Sequence, residues 1–265
     1  MASATTIQEA GPTLVLPMSP SEMKVSAFTS TPELTIVIPA KNEAKLIPRL
    51  LESLTKQDYS KMPVTPVLVA DAGSTDGTPD VVRSFRDRLN VQVVPGGLPS
   101  VGRNRGAALA QTPYVLFIDA DIELADSRLI RRCVERMRRK DLHLCTTNIL
   151  CRESRVGKMF YYGNNFVQYL SRLGWPFATG MFMMFNTQRF RELGGFHEQA
   201  LFAEDYLLAK KVARSKFRVV RGGVYTTNRR FEKMGYGRVT LLFFRTAFHT
   251  FDEKFFLRDH KYWAY

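Results

Sequence analysis

The sequence predicts an α/β fold, a mostly parallel sheet with helices on both faces. From Leu34 to Lys140 short apolar runs alternate with helix-period segments, the rhythm of strands joined by covering helices. The runs end abruptly in polar or acidic residues, as strands do at the sheet edge where α/β proteins bind ligands. The strongest instance is Tyr114-Val115-Leu116-Phe117-Ile118, which delivers Asp119 and Asp121 to that edge at i and i+2.

Met1 to Thr31 is rich in Ser, Thr, Pro and Ala without periodicity and is read as a flexible extension. Leu34–Ile38 is the first strand, and Ala44–Lys56 a helix with Leu46, Ile47, Leu50, Leu51 and Leu54 on one face. Val67–Ala70 is the second strand. Thr78 and Pro79 then supply a cap and first-turn pair for a helix to Leu89. Val91–Val94 is a strand, Val101–Ala110 a helix, Tyr114–Ile118 a strand. Ser127–Lys140 is an amphipathic helix built on Leu129, Ile130, Cys133, Val134 and Met137. Further on, Leu142–Thr147, Phe182–Phe185 and Phe217–Val220 read as strands, and Val156–Leu173 and Glu204–Ala213 as helices. The domain spans about residues 32–238, with halves at about 32–125 and 126–238, followed by a basic aromatic segment, 239–265.

At 265 residues the chain is long enough to bury a full core. Its formal charge of +13 is uneven: Tyr206 to Tyr265 holds 14 Lys and Arg against 4 Asp and Glu. A basic face suits phosphate-rich ligands or anionic lipid, or serves solubility alone. Cys133, Cys145 and Cys151 lack metal-ligand spacing and read as reduced core residues. Met1–Ser30 carries no signal-peptide pattern, and no run reaches the roughly 20 apolar residues of a membrane span. The expected location is therefore cytoplasmic.

Paired carboxylates on a strand end are hard oxygen ligands for Mg²⁺ or Mn²⁺, and such an ion neutralises a diphosphate. Asp71, at the end of the second strand, accepts hydrogen bonds from a base or ribose, or else caps its Gly-Ser turn. Asp76-Gly77 is a turn that launches a helix. Pro39-Ala40-Lys41-Asn42-Glu43 ends the first strand at the same edge; it holds a nucleotide, caps the following helix, or does both. Gly102-Arg103-Asn104-Arg105-Gly106 opens a helix with two guanidiniums, a setting that favours anions. Glu204 and Asp205 stand at a helix start, as dipole-favoured acids or as a general base for an attacking hydroxyl. Arg229 and Arg230 clamp a diphosphate or belong to the general basic surface. Of the four histidines only His197 lies near these groups, and a surface position suits it.

In order and spacing, Ile38-Pro39-Ala40-Lys41-Asn42-Glu43, Asp71 to Thr78, Gly102 to Gly106, Ile118-Asp119-Ala120-Asp121, Gly194-Gly195-Phe196 and Glu204-Asp205 resemble the inverting family-2 glycosyltransferases of GT-A fold. The resemblance covers roughly Leu34 to Arg230. It implies a UDP- or GDP-sugar donor, a divalent metal at Asp121 with Asp119 on the ribose or in the metal shell, and Asp205 as base with Glu204 beside it. Pro39, Ala40, Asn42, Glu43, Asp71, Arg103, Asp119, Arg229 and Arg230 would hold the nucleotide. Two departures narrow it. Ala72 stands where the family often has a second acid or glycine, and Asn228-Arg229-Arg230-Phe231 replaces the Gln-x-x-Arg-Trp of processive polymerases. Transfer of one sugar per visit to a saccharide or lipid-linked acceptor is expected.

A nucleotidyltransferase would want a Gly-rich basic loop after the first strand, where Pro39–Glu43 stands. Nucleic-acid binding is not expected, because carboxylates at successive strand ends repel phosphate. The C-terminus interleaves Phe243, Phe244, Phe248, Phe251, Phe255, Phe256, Tyr262 and Trp263 with Arg245, Lys254, Arg258 and Lys261. It rests on an anionic leaflet at the inner face of the membrane, or packs on the core or a second subunit.

Overall fold

The computed structural model describes residues 31–249 and 252–258. The N-terminal extension, and Phe251, Lys261, Tyr262 and Trp263 of the C-terminal segment, lie outside the described residues.

In chain order the elements are β1 (Leu34–Ala40), α1 (Ile47–Thr55), β2 (Val67–Asp71), α2 (Thr78–Arg83), β3 (Val91–Pro95), α3 (Pro99–Ala108), β4 (Tyr114–Ile118), β5 (Glu123–Leu124), α4 (Leu129–Lys140), β6 (Leu144–Cys151), α5 (Arg155–Leu170), β7 (Phe182–Asn186), α6 (Thr187–Glu192), α7 (Glu204–Ala209), β8 (Phe217–Thr226), α8 (Arg229–Met234), α9 (Tyr236–Phe248) and α10 (Glu253–Leu257). The strands form one sheet in the order β3-β2-β1-β4-β7-β6-β8-β5. The pairs β1/β2, β2/β3, β1/β4 and β6/β8 are parallel. β7 runs antiparallel to both neighbours, and β5 antiparallel to β8.

The amphipathic helices bury the faces their spacing selects. Ile47, Leu50, Leu51 and Leu54 of α1 are buried, as are Leu129, Ile130, Cys133, Val134 and Met137 of α4. The aliphatic strands between them are covered on both faces, which accounts for their continuous apolar runs. All three cysteines are buried free thiols. On the other face of the sheet Phe117, Phe185, Phe190 and Phe196 pack edge-on or tilted, with the Phe117 and Phe196 rings 4.9 Å apart. α3 lies close on β1 because Gly106 has no side chain; a Cβ there would stand 2.4 Å from Val37 Cγ1.

Several boundaries differ from expectation. The helix after Thr78 turns irregular beyond Arg83, and Gly77, in the left-handed region at φ +87°, takes the cap position instead of Thr78. β8 runs six residues past Val220 to Thr226, carried across Arg221-Gly222-Gly223 by a register shift against β6 between Thr146 and Asn148. The described C-terminal residues are helical. Leu242, Phe255 and Phe256 pack with Ala200, Phe202 and Leu207, whereas Leu241, Phe244 and Phe248 are exposed.

Candidate active site

The parallel register sets the ends of β1 and β2 side by side, with Ala40 opposite Asp71. The loops beyond them are laced together. Asn42, at φ +56°, donates its N–H to Ser74 Oγ and accepts from the Thr75 N–H, both at 2.9 Å. The Glu43 N–H donates to Thr78 Oγ1, and the Ala44 N–H to Asp76 Oδ2. Hydrogen bonding from Thr78 holds the Asp76 carboxyl below its ordinary range, consistent with a turn that launches a helix.

Asp71 does two things. Its Oδ2 caps the turn, accepting from the N–H groups of Gly73 at 3.1 Å and Ser74 at 3.0 Å. Its Oδ1 is buried with no hydrogen-bond partner among the described residues. A buried acceptor of that kind is costly unless a donor reaches it.

Arg103 does not present its charge to open solvent. It is 1% exposed, and its terminal nitrogens donate at 2.6 Å to Asp119 Oδ1 and at 2.6 Å to Glu204 Oε1. Burial opposes its charge, but Asp119, Glu204 and Asp205 outweigh that and hold its pKa above the ordinary value. The guanidinium lies 5.3 Å from the Phe196 ring centre. Its neighbours in the motif have structural partners: Asn104 accepts the Phe196 N–H and donates to the Phe196 carbonyl, pinning the Gly194-Gly195-Phe196 turn, and Arg105 donates to the Gly96 carbonyl.

At the start of α7 the two acids part company. Glu204 is buried on Arg103. Asp205 accepts the Gly180 N–H at 2.6 Å and its own helix's Tyr206 N–H at 2.7 Å. Burial first, then the charge of Glu204, pushes its carboxyl up to about 7, where it exchanges protons near neutrality. Gly180 permits this closeness: a Cβ there would stand 2.6 Å from Arg103 Nη2. Arg103, Asp119, Glu204 and Asp205 all line a cavity of about 880 Å³.

Asp121 accepts from Thr227 Oγ1 at 3.3 Å and pairs with Arg229 at 3.5 Å. Arg229 is held mainly by Glu43, at 2.6 and 3.1 Å, and that hydrogen bonding raises its pKa. The backbone of Arg230 lies in α8. His197 is exposed. Sequence reasoning missed Thr227, the Gly180 N–H and the Glu43–Arg229 pairing. Thr179-Gly180 shortly before a strand was the available signal for the second; the other two depend on strand order alone.

The profile of glycosyl transferase family 2 matches residues 35–197. Validoxylamine A glucosyltransferase of Streptomyces hygroscopicus subsp. jinggangensis is 40% identical over 100 residues, 36% of this chain and 24% of that protein's length. The mannosyltransferase PcManGT of Pyrobaculum calidifontis, solved with GDP-Man and Mn²⁺, superposes with a TM-score of 0.62 at 25% identity, over 81% of this chain and 62% of that one. TarS of S. aureus, solved with UDP-GlcNAc, gives 0.59 at 20% identity, over 74% and 58%. The fold is thus GT-A, and because the family profile extends over more than half of the 265 residues, the chain belongs to glycosyl transferase family 2.

Proposed function

We propose that the chain is an inverting glycosyltransferase that moves one sugar from a nucleoside-diphosphate sugar to an acceptor hydroxyl or phosphate, with Asp205 as general base. The observation that carries this reading is the Asp205 carboxyl itself: buried, pushed up to about 7, and lining the same cavity as the strand-end Asp119. Asp205 takes the proton of the acceptor hydroxyl. The freed oxygen forms its bond to the anomeric carbon from the face opposite the diphosphate. The bond from that carbon to the diphosphate breaks, and its electron pair leaves with the nucleoside diphosphate.

Glu204 is not needed as a second base; its ion pair holds Arg103 against Asp119. Asp71 Oδ1, without a hydrogen-bond partner among the described residues, suits an N–H or O–H of the nucleoside, beside the laced Pro39–Glu43 loop. Arg229, next to Asp121, suits the diphosphate, and Arg230 follows it in α8.

Asp119 and Asp121 fit a divalent cation. They are two part-exposed carboxylates, and among the described residues no third His, Cys, Asp or Glu joins them. That is the sparse protein ligand set Mg²⁺ or Mn²⁺ takes when phosphate oxygens and water complete its shell. Such an ion would offset charge on the leaving diphosphate. PcManGT, solved with Mn²⁺ and GDP-Man, supports an ion and a nucleotide sugar of this kind.

No described helix is long and apolar enough to cross a membrane. The exposed Leu241, Phe244 and Phe248 of α9, near Arg238 and Arg245, support peripheral attachment to an anionic leaflet on its cytoplasmic side.

The test is calorimetric titration of UDP and of GDP, each with Mn²⁺ and with EDTA, into wild type and Asp121→Ala. Metal-dependent binding of one nucleotide, lost in the variant, is expected. Binding of neither nucleotide would remove the donor assignment.

A further inference from the structure

The C-terminal half of α5 turns polar side chains inward: Asn165 accepts the Ile149 N–H and donates to the Ile149 carbonyl, and Gln168, fully buried, donates to the Thr147 carbonyl, both on β6. Most of the helix's apolar side chains face away from the core, Phe160 and Tyr161 excepted. Met159 is 72% exposed, Phe166 57% and Leu170 44%. Three-residue and four-residue steps place Met159, Phe166 and Leu170 along one stripe, so the exposure belongs to a face and not to scattered side chains. Proteins seldom leave so broad an apolar face open unless something is bound there.

That face is one wall of the 880 Å³ cavity, and Phe243 and Phe244 of α9 and Trp175 form others. A volume of this size lies in the range of roughly 300–1,000 Å³ that holds a small-molecule ligand. Charge within it is segregated. Among the described lining residues the charged side chains are Arg103, Asp119, Glu204 and Asp205, all in the carboxylate network. A saccharide buried in such a space would strip its hydroxyls of water against aliphatic and aromatic walls. Beside the network, two polar atoms on the lining residues, Thr179 Oγ1 and Asn164 Nδ2, are buried with no partner among the described residues. They suit the oxygens of one small polar head.

We propose that this cavity binds the hydrocarbon tail of the acceptor, so that the acceptor is an amphiphile, a lipid or lipid-linked molecule whose head-group hydroxyl meets Asp205. The proposal rests on Asp205 as general base. The tail lies along Met159, Phe166 and Leu170, and the head reaches Thr179 and Asn164. The hydroxyl proton goes to Asp205 as its oxygen bonds to the anomeric carbon and the nucleoside diphosphate departs.

The probe is n-octyl β-glucoside below its micellar concentration, with glucose as the tail-free control. Trp175 lines the cavity and is one of two tryptophans, so in a full-length Trp263→Phe background its emission reports binding. A saturable blue shift with octyl glucoside and none with glucose is expected. In the same background Phe166→Glu with Leu170→Glu, both at exposed positions, weakens that affinity by roughly tenfold or more. Equal binding of glucose, no saturable shift, or unchanged affinity in the double variant would overturn the proposal. Asp205→Asn separates this from the base assignment: its transfer to octyl glucoside is lost while the blue shift persists. Transfer surviving in that variant would end the base assignment alone.

Discussion

Arg103 Nη1 and Glu204 Oε1 meet at 2.6 Å across 101 residues of sequence, and both side chains are buried. The other terminal nitrogen of the same guanidinium holds Asp119, so one planar fork ties the end of β4 to the start of α7. Removing one partner of a buried pair leaves an uncompensated charge, which costs far more than an exposed pair is worth. Arg103→Met is expected to lose about 3–5 kcal/mol of stability by chemical denaturation. Arg103→Lys should recover only part, because a point charge cannot span both carboxylates. A loss below about 1 kcal/mol in Arg103→Met would mean the pair behaves as an exposed one.

The Asp205 carboxyl, held near 7 by burial and the charge of Glu204, sets a pH signature. A base must be ionised, so kcat/KM should rise with pH through about 7 and then level. A profile flat between about pH 6 and pH 8 would contradict the assignment. Asp205→Asn should lower kcat by roughly 10²–10⁴-fold. Stability runs the opposite way. Between the usual carboxylate value near 3.9 and about 7, the folded chain keeps a proton that the unfolded chain has released, so this group's contribution falls as pH rises through that window. Asp205→Asn should therefore gain melting temperature relative to wild type on going from about pH 5 to pH 8, a trend that thermal scans would reveal or refute.

Gly180→Ala places a methyl 2.6 Å from Arg103 Nη2. The guanidinium, already buried and doubly paired, must shift. Its attraction is one of the influences that lower the Asp205 pKa, so the midpoint of the pH–rate profile should move upward. An unchanged midpoint would show that Arg103 does not reach Asp205 electrostatically.

Asp71→Asn keeps an oxygen for the Gly73 and Ser74 N–H groups and puts an amide donor where Oδ1, unpartnered among the described residues, now lies. Stability should change little, while nucleotide affinity falls by roughly tenfold as a donor meets a donor. Calorimetry decides it; full affinity would mean the nucleoside does not use this atom.

The strand-end acids were legible because an apolar run that stops at a carboxylate, as at Ile118-Asp119, marks the point where a buried strand reaches the sheet edge. Glu204 and Asp205 were legible as acids at a helix start but not in their different partners, which depend on Arg103 arriving from α3 and on the Gly180 N–H. For Arg103 itself, the sequence argued attraction to anions, and only strand order reveals that Asp119 and Glu204 are its partners. The end of β8 was missed because Arg221-Gly222-Gly223 breaks the apolar pattern, and a register shift is invisible locally. The inverted face of α5 was equally hidden. That Asn165 and Gln168 turn inward depends on the backbone groups of β6 that they bond, which no local pattern in the helix shows.

The reversal of β7 has a consequence for how such a chain diversifies. Because β7 runs against β4, the residues leading into it lie beside those leaving β4: Phe182 pairs with Ile118, and Gly180 lies just upstream of that rung. The spacing between Asp119 and the Gly180 N–H that steadies Asp205 is thus written into one ladder, where a slip of a single residue would turn every side chain to the wrong face. The apolar walls of the cavity, by contrast, stand on α5 and α9, outside that ladder. On the acceptor site proposed above, the architecture separates a fixed gauge from an interchangeable fitting: two helices can be rewritten while the spacing between Asp119 and Asp205 stays constant.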